Sequence, residues 1–300
     1  MLGIFYIILA SSFWALDTLI RYPLISSGLS ATTMVFYEHF LLSAIFIIFY
    51  PESFMNIVRG KKINWLYFII VGAFGSAIAT AAFTRAFYFL NPSLVILLQK
   101  FQPLVAIILA RIFLAEKIQK IFVVWAIVCL IGAFLISFED ILRLTDSNQD
   151  INKLFFHEEA FLGYILVAIS VVGWGASTVF GKKLSMNGLK QQDIMFGRFI
   201  VAFLTLIPML KFNNDLFSHD LDMYGKIALM VLISGLLAMY LYYKGLALVS
   251  ARACALAELF FPFFAVVVNW LFLGKELTPI QILGGCILLI GSSVIQMKEY

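Results

Sequence analysis

The stretch LGIFYIILASSFWALDTLIRYPLISSGLSATTMVF, Leu2–Phe36, returns without a gap 160 positions later as LGYILVAISVVGWGASTVFGKKLSMNGLKQQDIMF, Leu162–Phe196. The identical pairs include Gly3 with Gly163, Trp14 with Trp174, Thr18 with Thr178, Leu24 with Leu184, Gly28 with Gly188, Leu29 with Leu189 and Phe36 with Phe196. An apolar background supplies matching leucines by chance, but not matching tryptophans and glycines at one offset. Both copies lie in apolar runs of the length a helix needs to cross a bilayer, about 20 residues. The chain therefore reads as an internal duplication within a membrane.

The later part of each half repeats at an offset of 159, pairing Leu97 with Leu256, Phe101 with Phe260, Pro103 with Pro262, Phe113 with Phe272 and Gly132 with Gly291. Apolar runs place spans near 2–20, 31–50, 64–86, 93–114, 119–137, 161–180, 194–211, 226–243, 253–273 and 278–296. The expected fold is an all-α polytopic membrane protein, with ten transmembrane helices as two inverted five-helix repeats. Residues 1–137 form the first repeat, 138–160 a polar connector outside the cytoplasm, and 161–300 the second repeat. Halves with an odd number of spans insert upside down relative to each other, and many secondary carriers build a site at such an interface.

Composition agrees. Hydrophobic residues make up 63% of the 300, charged residues only 13%, and the mean hydropathy is +1.00; a soluble domain carries about 25% charged residues. The net charge of +4 points to no nucleic-acid partner. Cys129, Cys254 and Cys286 lack metal-ligand spacing and read as small buried packing residues. The N-terminus has no basic region before its apolar run and is expected to stay as the first span. With both termini inside, twelve loop and tail lysines and arginines face the cytoplasm and six face outward, with most of the acids outside. That bias gives a multi-pass protein of the cytoplasmic (inner) membrane with both ends cytoplasmic.

Ionisable side chains at membrane depth cost a few kcal/mol and must pair, reach the headgroups or face a wet cavity. Asp17 has Arg21 four residues on, a spacing that bonds along one helix face, and Arg85 is close enough to a helix end to snorkel. Glu38 and Lys100 share a depth, as do Arg198 and Glu258; the expected pairs are Glu38 with Lys100 and Arg198 with Glu258. By the repeat Glu38 corresponds to Arg198 and Glu258 to Gln99, so the halves carry opposite signs. Two readings stand open: clamps between helices, or groups lining the route of a charged or zwitterionic substrate.

Trp14 and Trp174 sit in span interiors, away from the interfacial belt, and either pack or line a cavity that satisfies the indole N–H. Tyr37, and Tyr240 with Tyr243, are further substrate-binding candidates, and His39 is the one histidine inside a span. Pro103 and Pro262 occupy matching points in the fourth and ninth spans and are either hinges or static kinks. Gly72, Ser76 and Thr80, with Gly75 and Ala79, give the third span smooth faces for close helix approach.

With these residues in hand, the chain resembles EamA-type members of the drug/metabolite transporter superfamily along nearly its full length. The resemblance is carried by W-x-x-x-T at Trp14–Thr18 and Trp174–Thr178, by FGRF at Phe196–Phe199, by Pro103 and Pro262, and by LFLGKELTPIQILGGCILLIG at Leu271–Gly291. The last stretch matches E-x-(T)-x-x-Q-x-x-G through Glu276, Thr278, Gln281 and Gly284. The first half departs more: Glu38 stands where the family often has arginine, and LAEKIQK at Leu114–Lys120 only loosely echoes the motif. Glu258 stands where a small or apolar residue is usual. These departures mark the expected specificity residues. The resemblance implies movement of amino acids, nucleobases, related metabolites or drugs, commonly outward, without ATP hydrolysis by the carrier.

The expected function is secondary transport by alternating access of a small metabolite, an amino acid or related zwitterionic or amphipathic compound, with export as the direction. The alternative is a membrane protein without transport activity, such as a lipid scramblase, a sensor or an assembly partner. No nucleophile–base arrangement, metal cluster or phosphate-cradling loop is visible, so neither an enzyme nor a cofactor is expected. The expected partners are the substrate and the bilayer, with the chain itself a monomer. Facilitated diffusion, proton coupling and exchange stand open.

Overall fold

The structure is a computed structural model and describes residues 2–59, 65–90, 92–136, 138, 142, 160–210, 220–273 and 278–297. The expected connector lies almost wholly outside these residues, as do Lys61, Lys62, Lys211, Lys275, Glu276 and Lys298. The described residues are helical and contain no strand. They form α1 (Leu2–Ser26), α2 (Ala31–Phe49), α3 (Trp65–Ala86), α4 (Pro92–Gln99 and Gln102–Phe113) and α5 (Lys120–Ile136). Then follow α6 (Ala160–Met186), α7 (Gln191–Met209), α8 (Leu221–Leu248), α9 (Ala251–Ala257 and Phe260–Leu273) and α10 (Pro279–Met297). Eight are long and apolar enough to cross a membrane; α5 and α10 are shorter apolar helices. A short helix at Glu52–Arg59 lies between α2 and α3.

The repeated residues explain where helices stop. Gly28 and Gly188 both have positive φ, 97° and 93°. At each, the next residue's N–H reaches back five positions, Leu29 to the Leu24 carbonyl at 3.2 Å and Leu189 to the Leu184 carbonyl at 3.3 Å. This is the glycine-terminated cap that satisfies orphan carbonyls at a helix end. The conserved spacing of leucine, glycine and leucine in the two copies is thus a twin stop signal, ending α1 and α6 alike.

Two further irregularities recur at nearly the same offset. π-helical turns occupy Ile69–Ile78 in α3 and Val231–Ala238 in α8, each with a glycine at the matching place, Gly75 and Gly235. Breaks interrupt α4 at Lys100–Phe101 and α9 at Glu258–Leu259. Pro103 and Pro262 follow directly, where the ring excludes the hydrogen bond to the residue four back and collides with its carbonyl.

Packing follows the same exchange. α1 lies on α8 and α9, while α6 lies on α3 and α4; α2 meets α7, and α5 meets α10. Small residues permit these approaches. A Cβ on Gly75 would fall 2.5 Å from the Ser177 Cβ, and one on Gly173 2.7 Å from the Ala79 Cβ, so the smooth face expected on α3 seats α6. A Cβ on Gly245 would fall 2.6 Å from the Gly3 carbonyl oxygen at the α1–α8 crossing. Cys129 and Cys254 are buried as expected, but Cys286 is exposed because it lies on the outward face of α10.

At the end where α4, α6 and α8 finish, polar bonds tie the helices together. The Glu116 carboxylate accepts the N–H groups of Ala251 and Arg252 at 2.8 and 3.3 Å, capping the start of α9. Lys182 Nζ donates to the Leu246 and Ala247 carbonyls at the end of α8, at 2.9 and 3.0 Å.

The α5–α10 crossing gives a test of this packing. A Cβ on Gly132 would meet the Gly284 carbonyl oxygen at 2.8 Å, and one on Gly284 the Gly132 oxygen at 2.7 Å, so backbone faces backbone. Gly132→Val is expected to cost about 1–3 kcal/mol through overpacking, read as a lower melting temperature of the purified protein. Gly225→Ala, where a Cβ meets nothing within 4 Å, is expected to be neutral or stabilising by up to about 1 kcal/mol.

Candidate functional site

The irregular segments of α3, α4, α8 and α9 converge with α1, α2, α6 and α7 on one central cavity of about 220 Å³. The cavity draws its wall from both sequence halves. Of the residues singled out above, Trp14, Asp17, Glu38, Lys100, Trp174, Arg198 and Glu258 line it, together with Pro103 and Pro262. Each tryptophan leans on an aromatic ring from the other half: Trp14 on Tyr242, with centroids 5.4 Å apart, and Trp174 on Phe83 at 4.9 Å. Both indoles are only half-buried, because one side faces the cavity.

Two tyrosines are not where the sequence pattern put them. Tyr240 is 43% exposed on the outer face of α8 and lies away from the cavity. Residues two positions apart on a helix differ by about 200°, so Tyr242 takes the inward position instead. Tyr37 is buried against Tyr224 of α8, ring edge to face at 5.5 Å, and packs helices rather than lining the cavity.

The acidic pole of the cavity is a four-residue cluster. Arg21 Nε donates to Asp17 Oδ2 at 2.6 Å along α1, the expected four-residue pairing, and Arg21 Nη2 reaches the Glu38 carboxylate of α2 at 3.3 Å. Ser234 of α8 donates its hydroxyl to Asp17 Oδ1 at 2.9 Å. One guanidinium therefore joins two carboxylates and ties α1 to α2, and the Ser234 hydroxyl on Asp17 adds α8. Arg21 had no expected role beyond charge relief for Asp17, and the i, i+4 spacing gave no hint of its reach to α2.

Arg198 does not pair with Glu258. Among the described residues no carboxylate lies within ion-pair distance of its guanidinium. It donates instead to three hydroxyls: Ser76 at 3.0 Å, Ser177 at 3.1 Å and Tyr243 at 2.9 Å. His39 Nδ1 donates to the Val35 carbonyl at 2.8 Å, which leaves Nε2 to accept the Ser76 hydroxyl proton at 2.9 Å. The order Arg198 to Ser76 to His39 thus satisfies every donor with a neutral imidazole. His39 is a bonded packing residue at the cavity edge.

Glu258 sits at the α9 break, and its partners among the described residues are neutral. Gln102 Nε2 donates to its Oε2 at 2.7 Å, and the Thr178 hydroxyl to its Oε1 at 3.2 Å. The Cys254 thiol reaches Oε1 at 3.7 Å. The expected Arg198–Glu258 pair fails because serine and tyrosine hydroxyls from α3, α6 and α8 reach the guanidinium first. Those serines were invisible in the sequence, except that Ser76 belonged to the small-residue face of α3. Among the described residues no group of three or more His, Cys, Asp or Glu side chains is arranged to hold a metal.

Comparison with known proteins places this geometry. A solved crystal structure at 14% sequence identity superposes with a TM-score of 0.74 over 99% of this chain and 96% of its own, and so shares the fold. The riboflavin transporter ImpX of Fusobacterium nucleatum subsp. nucleatum is 30% identical over 306 residues, covering 99% of this chain and 97% of the relative. The EamA-like transporter family matches residues 1–138 and 161–297, on either side of the polar connector. With a polytopic helical fold, a central cavity and a family match over both halves, this chain belongs to the EamA-like transporter family.

Proposed function

We propose that the protein is a secondary transporter of riboflavin or a closely similar flat, polar heterocycle, working by alternating access between two inverted five-helix halves. The observation that carries this reading is the cavity walled by the repeat-related Trp14 and Trp174 and ringed by hydrogen-bonding side chains from both halves. Inversion is supported by the exchange pattern of packing, α1 on α8 and α9 against α6 on α3 and α4. Such repeat interfaces, with discontinuous helices at the binding site, are how many carriers present one site to either side of a membrane. Both termini lie in the cytoplasm, in this reading, and the monomer is the working unit.

The substrate class follows from what the cavity leaves free. Asp17 and Glu38 are engaged by Arg21, which disfavours the expected amino acid or other zwitterion, since its ammonium group would compete with a guanidinium already in place. Arg198 supplies donors and Glu258 an acceptor, while the tryptophans supply flat apolar faces. Together these suit an uncharged ring system with carbonyl and N–H edges and a hydroxylated tail. The full-length similarity to a protein named as a riboflavin transporter supports the same class. At about 220 Å³ the cavity is smaller than the roughly 300–1,000 Å³ usual for ligand sites, so the helices part to admit a ligand. The breaks before Pro103 and Pro262 are the proposed hinges. Direction is set by the gradients across the membrane rather than fixed as export.

Purified protein in liposomes is expected to exchange radiolabelled riboflavin across the membrane, measured as counterflow; absence of counterflow overturns the substrate. Trp14→Ala and Trp174→Ala should each weaken flavin binding about twofold to twelvefold, from the ~0.5–1.5 kcal/mol of an aromatic pair, read by flavin fluorescence quenching. Arg21→Met leaves two carboxylates in low dielectric and is expected to cost about 3–5 kcal/mol. Adding Asp17→Asn and Glu38→Gln to that variant should restore most of the lost melting temperature.

A further inference from the structure

Glu258 is the one carboxyl on the cavity wall whose described partners are all uncharged. The groups that face it come from several elements. On α4, Gln102 donates to it, and Lys100 lines the same cavity two residues earlier. On α6, Thr178 donates to it, while Lys182, one turn further, spends its ammonium on the Leu246 and Ala247 carbonyls. On α8, the Tyr242 hydroxyl meets Thr178 at 2.8 Å, and Tyr243 holds Arg198. On α9 itself there is Cys254. Across the cavity, Asp17, Arg21 and Glu38 are bonded to one another, and His39 is closed into its chain with Ser76 and Arg198.

This shell can serve either form of the carboxyl. A hydroxyl donates to a carboxylate or accepts from a carboxylic acid by turning about one bond, and Thr178 has a second acceptor in the Trp174 carbonyl at 3.2 Å. The Gln102 amide does the same by turning over, presenting its oxygen in place of its nitrogen. A fixed ion pair would resist protonation, and among the described residues the recorded bonds to the Glu258 carboxyl come from Gln102, Thr178 and Cys254. The duplication adds a second observation: the corresponding position in the first half is Gln99, an uncharged isostere of a protonated glutamate that also lines the cavity. One half therefore holds a permanently neutral group where the other holds one that can be neutral or charged. The position lies at the α9 break, at the start of the segment that moves if Pro262 is a hinge.

We infer that Glu258 is a proton-binding site, and that its protonation and deprotonation on opposite sides of the membrane couple proton movement to substrate passage. This rests on the transport reading above. The proton binds a carboxylate oxygen of Glu258 on one side and leaves to water on the other, so no oxidant or co-reactant is needed. Neutralising the carboxyl removes the cost of carrying a bare charge through the occluded state.

Two measurements separate this inference from the substrate assignment. In the first, infrared difference spectra of the purified protein between about pH 5 and about pH 8, a range that spans shifted carboxyl titrations, should show the C=O stretch of a protonated carboxyl. That band should be absent in Glu258→Gln. The same spectra unchanged by the substitution overturn the proton site, whether or not riboflavin is carried. In the second, liposomes with the membrane potential clamped are given a pH difference and labelled riboflavin. One proton per substrate sets a ceiling of about tenfold accumulation per unit of pH difference, the side of accumulation distinguishing symport from antiport. Glu258→Gln should lose the response to the pH difference whatever rate it retains, and Glu258→Asp should keep it. Wild-type flux indifferent to the pH difference, or a response that survives Glu258→Gln, overturns coupling. A titrating band with no riboflavin counterflow sinks the substrate and leaves the proton site standing.

Discussion

Hydrocarbon offers no hydrogen bonds, so each polar group that this chain carries into the bilayer has to be answered by another group of the chain or by a pocket that admits water. The whole arrangement follows from that constraint. Asp17, Glu38, Arg198 and Glu258 come from four helices, yet all reach the same cavity. There the hydroxyls of Ser76, Ser177, Thr178 and Ser234 serve them. The backbone obeys the same rule: its breaks and π-helical turns fall where the cavity wall or a neighbouring helix can satisfy what they expose.

Much of the architecture was legible because the duplication carries it in rare residues. Gly28 with Gly188 and Pro103 with Pro262 each mark a backbone event that those residues favour, and each event is found at both places. The small-residue face of α3 was legible for a similar reason, since glycine and alanine at fourfold spacing have few other uses within a membrane. The paired π-helical turns were missed, although Gly75 and Gly235 at the common offset were available as a signal.

The site was legible in membership and poorly legible in wiring. Depth along a span is readable from sequence, and it singled out Trp14, Asp17, Lys100, Trp174 and Glu258, all of which line the cavity. Rotation about the helix axis is read less surely: one residue of slippage separates an inward ring from an outward one, which is why Tyr242 and not Tyr240 meets Trp14. Charge partners were assigned by sign, but distance decides, and three hydroxyls lie within bonding range of the Arg198 guanidinium where no described carboxylate does. Arg198 surrounded by hydroxyls and Glu258 held by an amide are the outcome.

The twin glycine caps have a mechanical consequence. α1 and α6 run to 25 and 27 residues, and at about 1.5 Å per residue both outreach the roughly 30 Å of hydrocarbon. Because the chain itself locks their ends through Gly28 and Gly188, neither helix can shed a turn to suit its surroundings. A change in acyl-chain length is taken up by tilt or by deformation of the bilayer around them. Trp14 and Trp174 ride near the middle of these two rods, so tilting of either rod alters the spacing of the aromatic walls.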